Sequence, residues 1–249
     1  MRGRVELFAG CLMSTLLAPL DIATGELLAA AGYEVVITQA QTCCGALAAH
    51  GGDLATAREL AQRNLDAFTG RDMPIVVNSA GCGAFLHEYP HHVGNAAAAL
   101  ADRVVDVSEL LVEAPLDLTG PPPPGPVAYQ DACHARLAQG IVEAPRALLG
   151  RIPGLELVEL ADPTMCCGSA GVYNLLHPET GNELGRRRAE TVRAAAARTV
   201  ITSNPGCLLQ MRSHLARDSG EPVAVRHLVD VLRDACPTAV ERVPPEGFR

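Results

Sequence analysis

Thr42-Cys43-Cys44-Gly45-Ala46 and Met165-Cys166-Cys167-Gly168-Ser169 carry the same Cys-Cys-Gly text 123 residues apart. Cys11 and Cys82 flank the first copy and Cys133 and Cys207 the second, so matching cysteines are offset by 122, 123, 123 and 125 residues. Gly81-Cys82 recurs as Gly206-Cys207, and Gly32 as Gly154. Eight cysteines recurring in one order with a drift of three residues mark two homologous halves. Between them lies Thr119 to Pro126, where the four prolines Pro121 to Pro124 forbid helix and interior strand and favour a stiff polyproline segment. The divisions expected from this pattern are 1–118, a linker 119–126, 127–236 and a tail 237–249, with Cys236 outside the repeat.

Each half reads as alternating strands and helices. Val5 to Ala9, Glu34 to Ile37, Ile75 to Val77 and Val104 to Val107 are short apolar strands. Between them, Leu16, Leu20, Ala23, Leu27 and Ala30 share one helix face that stops near Gly32. Asp53 can cap a second helix whose Leu54, Ala57, Ala61, Leu65 and Phe68 also share a face. The second half repeats this order with Val127 to Tyr129, Leu155 to Leu160, a helix over roughly Glu179 to Ala197, Val200 to Thr202 and Val223 to Val225. The pattern predicts an α/β protein of two homologous Rossmann-like lobes, each with a parallel sheet and right-handed crossovers, related by internal duplication. In such a sheet the carboxyl ends of the strands share one edge, so each lobe is expected to gather its four cysteines there.

Composition narrows the function classes. Twenty basic residues, all of them Arg, against twenty-eight acidic ones leave a net charge of -8, which disfavours nucleic acid as a partner. The longest apolar runs, such as Ala96 to Ala101, are far short of the roughly 20 residues of a membrane helix, and no charged-then-apolar leader opens the sequence. A cytoplasmic location, with membrane contact only through partners, is the expectation. There the cysteines are ligands, redox groups or buried apolar residues rather than a disulfide framework.

Packing alone does not require the same Cys-Cys-Gly twice with two further cysteines at matching separations. Structural zinc sites usually present short Cys-x2-Cys pairs, and the adjacent Cys43-Cys44 is awkward for one small ion. A catalytic vicinal thiol pair needs a base or positive charge nearby, yet His134 beside Cys133 is matched in the first half by Leu12. An iron-sulfur cluster accepts ligands from several loops, and four soft thiolates per half suit a four-iron cluster. Gly45 and Gly168 would let the backbone turn close to such a bulky group, while Gly81 and Gly206 relieve crowding before the last ligand. Helix starts after Gly83 and near Leu208 would stabilise an anionic cluster through free N–H groups.

The arrangement Cys11, Cys43-Cys44-Gly45, Cys82 and its repeat Cys133, Cys166-Cys167-Gly168, Cys207 resembles the duplicated cysteine-rich CCG domain shared by the iron-sulfur subunit of glycolate oxidase, lactate-utilisation proteins and heterodisulfide reductases. The sequence is most similar to the carboxyl-terminal part of the glycolate oxidase subunit, through Asp131-Ala132-Cys133-His134, Pro153 to Leu157, and Cys166 to Leu176. The resemblance implies an electron-transfer subunit, not itself catalytic, of a flavin-dependent 2-hydroxyacid (glycolate or lactate) dehydrogenase. It implies one 4Fe-4S cluster per half on the eight cysteines, FAD on a flavoprotein partner, and a ferredoxin-type or quinone-linked acceptor. Two departures stand out. The full pattern ends each half in Cys-x2-Cys, where this sequence has Ser79 and Asn204 as the earlier member, which favours an ordinary cubane over a non-cubane, disulfide-cleaving cluster. The amino-terminal ferredoxin segment of glycolate oxidase subunits is absent from this sequence and is expected on another chain, unless this is a standalone or trimmed version. A heterodisulfide-reductase-like thiol-disulfide oxidoreductase and a structural metal-binding protein remain the alternatives.

Several other residues read as ordinary. Arg186-Arg187-Arg188 reads as a solvated helix face and His91-His92 as a surface loop. Tyr173 and Asn174 are candidates to line the second cluster, His134 to hydrogen-bond to its sulfur, and Cys236 reads as a free thiol near a polar tail.

Overall fold

The computed structural model describes residues 2–217 and 221–240. The first lobe holds the strands β1 (Gly3–Leu7), β2 (Tyr33–Val36), β3 (Ile75–Val77) and β4 (Val104–Asp106), and the second β5 (Val127–Tyr129), β6 (Leu157–Val158), β7 (Thr199–Thr202) and β8 (Ala224–His227). Each set forms a four-stranded, wholly parallel sheet, in the orders β2-β1-β3-β4 and β6-β5-β7-β8. The protein is therefore α/β with two Rossmann-like lobes of identical topology. Duplication extends to detail: β4 ends on Asp106, whose carboxylate accepts the Ser108 N–H at 2.8 Å, and β8 ends on His227, whose Nδ1 accepts the Val229 N–H at 3.3 Å. Both side chains cap the helix that follows.

The strands run close to their expected places, with one exception. Leu155 to Leu160 pairs only over Leu157–Val158. This is an edge strand whose partner β5 has just three residues, so little ladder is available to extend it.

The lobes pack as a pseudo-dimer. The helix Ala18–Ala30 of the first lobe lies on Leu228–Asp234 of the second, and the first-lobe helix Val107–Val112 lies on the second-lobe helix Glu143–Gly150. In each pair the first crossover helix of one lobe meets the helix after the fourth strand of the other. This reciprocity is that of an isologous interface. One apolar cluster runs through it without a break, from Val5, Leu27, Leu28 and Leu111 to Val127, Leu148, Leu228 and Leu232. A second cluster, built on Phe8, Phe68, Ile75 and Tyr89, fills the other face of the first sheet. Arg233 adds an ion pair across the lobes to Glu26 at 2.9 Å.

The segment 119–126 has no helix or strand, and it is tied to the second lobe by Gly120 N–H to Ala235 O at 2.8 Å and Arg198 N–H to Pro126 O at 2.7 Å. The tail expected at 237–249 begins as a short helix, Pro237–Val240, packed on Ala18–Ala30; residues 241–249 lie outside the described part. Cys236 is a free cysteine, but it is fully buried in the shared core rather than set beside a polar tail. His91 and His92 lie in the helix Tyr89–Val93 rather than in a loop, because the His92 ring packs on Phe85, centroids 4.7 Å apart.

Gly45 and Gly168 both have positive φ, +95° and +90°, which a Cβ would oppose. A Cβ on Gly168 would stand 2.5 Å from the Gly181 carbonyl oxygen, and one on Gly45 3.0 Å from that of Ala57. The close approach these glycines permit is thus to the helices Pro178–Ala194 and Leu54–Phe68, not only to a bound group as the sequence suggests. Gly168→Ala should cost about 1–3 kcal/mol in urea unfolding. Gly52→Ala, with φ +87° but nothing within 4 Å, should cost clearly less. Equal losses would show that the helix contact contributes nothing.

Candidate metal centre

All eight cysteines of the repeat stand beyond the carboxyl ends of the inner strands and their neighbours. Cys11 follows β1, Cys43 and Cys44 follow β2, and Cys82 follows β3; Cys133, Cys166, Cys167 and Cys207 follow β5, β6 and β7 in the same way. Because the lobes face each other about a pseudo-twofold, these two sheet edges meet. The eight cysteines line one cavity of about 580 Å³. Sequence leads one to expect a pocket in each half; tertiary packing opens both sets onto a shared chamber.

The helices of the last ligand positions begin earlier than expected. They span Ala80–His87 and Pro205–Arg217, so Cys82 and Cys207 sit inside the first turn rather than before it. Ser79 and Asn204 therefore stand where each helix starts. Hydrogen bonds here lock the lobes together, with Ala80 N–H donating to Ser203 O at 3.1 Å and Gly81 N–H to Asn204 Oδ1 at 2.9 Å. The same Asn204 turns its Nδ2 to Cys207 Sγ at 3.7 Å, and Ser79 hydrogen-bonds to the Cys82 sulfur. Neither replaces a thiolate. Each instead touches the last cysteine of its own half.

Within a half the sulfurs touch without being bonded. Cys11 and Cys43 are 3.3 Å apart at sulfur, Cys44 and Cys82 3.3 Å, and Cys167 and Cys207 3.2 Å, against about 2.05 Å for a disulfide. Cys43 and Cys44 perturb each other's titration, as do Cys133, Cys166 and Cys167, so each half forms a run of four neighbouring thiols. Contact with the Cys11 and Cys44 side chains pulls Cys43 down to about 2, and contact with Cys133 and Cys167 pulls Cys166 down to about 2. Cys82 and Cys207 are lowered in the same way by Cys44 and Cys167, and the other four are correspondingly raised. The direction of the shift at each cysteine is the same in both lobes. Among the described residues no three His, Cys, Asp or Glu side chains close on one ion-sized point, which a tetrahedral zinc site requires. A chamber of this volume and eight soft donors fit polynuclear groups instead.

A family model described as a CCG cysteine-rich domain matches the sequence twice, over residues 5–87 and 127–212. The chain belongs to the CCG cysteine-rich domain family. Each CCG match carries one complete set of four cysteines. The chain is 41% identical to a Bacillus subtilis protein named "Probable glycolate oxidase iron-sulfur subunit", over 94% of its own length and 55% of that protein. It is 34% identical to a subunit of a fumarate reductase (CoM/CoB) of Methanothermobacter marburgensis, over 92% of this chain and 46% of the relative. It is 31% identical to lactate utilization protein A of a Geobacillus species, over 92% and 98%. The CCG chain thus spans about half the length of the first two relatives and nearly all of the third.

Around the sulfurs, the structure settles the other candidates differently. His134 lines the cavity with Nδ1 3.7 Å from Cys133 Sγ. Asn174 lines it too and donates to Gln210 Oε1 at 3.0 Å, but Tyr173 points away onto His177. His50 is a wall residue that the sequence pattern does not single out. It ends the short helix opened by Gly45, and its ring stacks on His134 with centroids 5.4 Å apart, joining the lobes across the cavity wall. Only its place one turn after Cys-Cys-Gly could have signalled it. The arginine run is not uniformly solvated: Arg186 and Arg187 pair with Glu183 on the surface, but Arg188 is fully buried.

Asp21 likewise carries no signal in the sequence. It lies on the interior face of Ala18–Ala30, accepts from Asn78 Nδ2 at 2.8 Å through one oxygen, and among the described residues has no partner for the other. Burial pushes its carboxyl up from 3.8 to about 6, against the Asn78 hydrogen bond. The fold favours its protonated form, so that stabilisation is complete below pH 3.8 and is lost as pH rises through 6. Asp21→Asn should therefore gain on the wild type by about 3 kcal/mol between pH 4 and pH 8, read from urea midpoints. Parallel pH curves for the two proteins would remove the burial argument.

Proposed function

We propose that this chain is an iron-sulfur electron-transfer subunit of a flavin-dependent 2-hydroxyacid dehydrogenase. Cys11, Cys43, Cys44 and Cys82 hold one 4Fe-4S cluster, and Cys133, Cys166, Cys167 and Cys207 hold the second. When bound, such clusters supply one-electron carriers whose potential the surrounding protein sets. The observation that carries the reading is the pair of four-thiol runs opening onto one cavity. The names of the relatives supply glycolate or lactate as the substrate class of the complex.

The residues prepare this role before anything binds. Cys43, Cys82, Cys166 and Cys207 are the cysteines lowered by their neighbours, so they ionise first and the neighbours lose protons as ligation proceeds. The first turns of Ala80–His87 and Pro205–Arg217 bring free N–H groups and the positive helix end to the cavity. Leu12, Leu47 and Val172 in its wall limit water. Substrate oxidation, and the FAD it needs, belong to a flavoprotein partner in this reading, and a ferredoxin-type or quinone-linked protein takes the electrons. Among the described residues no helix is long and apolar enough to cross a membrane, so contact with a quinone pool would pass through a partner.

Anaerobically purified protein should contain iron and acid-labile sulfide in equal amounts, about eight of each for two four-iron clusters. Cys44→Ala and Cys167→Ala should each abolish one paramagnetic resonance signal and leave the other. Protein that stays colourless after reconstitution, or that takes up zinc without sulfide, would end the proposal.

A further inference from the structure

Arg188 has no exposed surface, yet among the described residues its charge has no direct counter-ion. Its Nε donates to Gln130 Oε1, its Nη1 donates to the carbonyl oxygens of Ala161 at 3.0 Å and Asp162 at 2.8 Å, and its Nη2 has no partner among the described residues. The nearby Asp131 carboxylate is taken by Arg146 at 2.8 Å and Arg136 at 3.3 Å. A guanidinium stays protonated in proteins, and burying one unpaired costs several kcal/mol unless negative charge shares the region. The Arg188 helix, Pro178–Ala194, packs on the Cys166-Cys167-Gly168 turn, where a Cβ on Gly168 would stand 3.0 Å from Gly185 N, and the electrostatic reach of Arg188 takes in the Asp131 and Asp162 carboxylates and then the sulfurs of Cys167 and Cys207.

The first lobe is built differently at the same place. Asn64 stands 124 residues before Arg188, within the offset of the repeat, on the helix Leu54–Phe68. It does the same mechanical work, holding the loop into the vicinal pair by accepting the Thr42 N–H at 2.8 Å and donating to Cys43 O at 2.9 Å. It carries no charge. Beside the first set lies instead the buried carboxyl of Asp21, whose charge reaches Cys82. The second set also receives the Asn204 amide at Cys207, at the position where the first has Ser79.

We propose that the two halves are unequal electron sites, with Arg188 giving the second half the higher reduction potential, so that the first electron entering the chain settles there. This rests on the iron-sulfur reading above. A buried cation favours the more negative, reduced form of a neighbouring group, and a buried carboxyl opposes it. In the transfer between halves one electron leaves the first centre, which is oxidised by one unit, and enters the second, which is reduced by one. No bond forms or breaks and no proton moves. The reductant is the partner's reduced flavin in the complex and dithionite in the assay.

Potentiometric titration of the anaerobic, cluster-loaded chain, followed by paramagnetic resonance, tests this, with Cys44→Ala and Cys167→Ala assigning each signal to a half. In the wild type the second-half signal should develop first. Arg188→Gln should lower the second-half reduction equilibrium at least tenfold, a shift of ~59 mV for one electron, and leave the first half unmoved. Arg188→Lys should keep most of the difference. First-half reduction preceding or coinciding with the second, or an Arg188→Gln shift shared equally by both, would overturn the proposal. If Arg188→Gln fails to fold, the wild-type order and Arg188→Lys decide. Protein without iron and sulfide would fell the iron-sulfur reading and this inference together, whereas two clusters in the wrong order would fell the inference alone.

Discussion

Packing of Ala18–Ala30 on Leu228–Asp234, mirrored by Val107–Val112 on Glu143–Gly150, is the contact on which the rest depends. Each parallel sheet delivers its four cysteines to one edge, but a single edge is an open shelf, exposed to water on one side. The pseudo-twofold places the two edges against each other and encloses a chamber between them. The continuous apolar cluster across this interface holds the geometry, and the hydrogen bonds from Ala80 and Gly81 to Ser203 and Asn204 set its register near the sulfurs.

Polar groups gather where that interface approaches the cavity. Asp21, Asn78, Ser203, Tyr129 and His227 are all buried there, and Tyr129 hydrogen-bonds to Ser203 at 3.0 Å. Burial pushes His227 down to about 4, so a neutral ring caps its helix at neutral pH. Buried polar groups of this kind are costly unless paired. Their concentration behind Cys82 and Cys207 ties stability of the lobe interface to the environment of the sulfurs.

Duplication gives two sets of the same donors, and divergence makes them differ in what surrounds them. The ligating pattern, the positive-φ glycine and the capped fourth-strand helix recur in both lobes. Asn64 and Arg188 share a position and a mechanical task but not a charge. A repeat can thus preserve geometry while changing electrostatics, because a loop clamp needs only hydrogen bonds and tolerates either residue.

Much was legible in the order of residues. The Cys-Cys-Gly repeat and the strand-helix alternation determine two like lobes, since a duplicated periodic pattern has the same local solution twice. They also place the thiols after strands, because in an alternating strand-helix pattern the turns that carry them lie beyond the strands' carboxyl ends. Tertiary structure alone decided that both sets share one chamber, that His50 meets His134, and that Arg188 is buried while its two neighbours are not. A run of three arginines reads alike along the chain; which of them faces inward follows from helix phase against a sheet and a loop that lie far away in sequence.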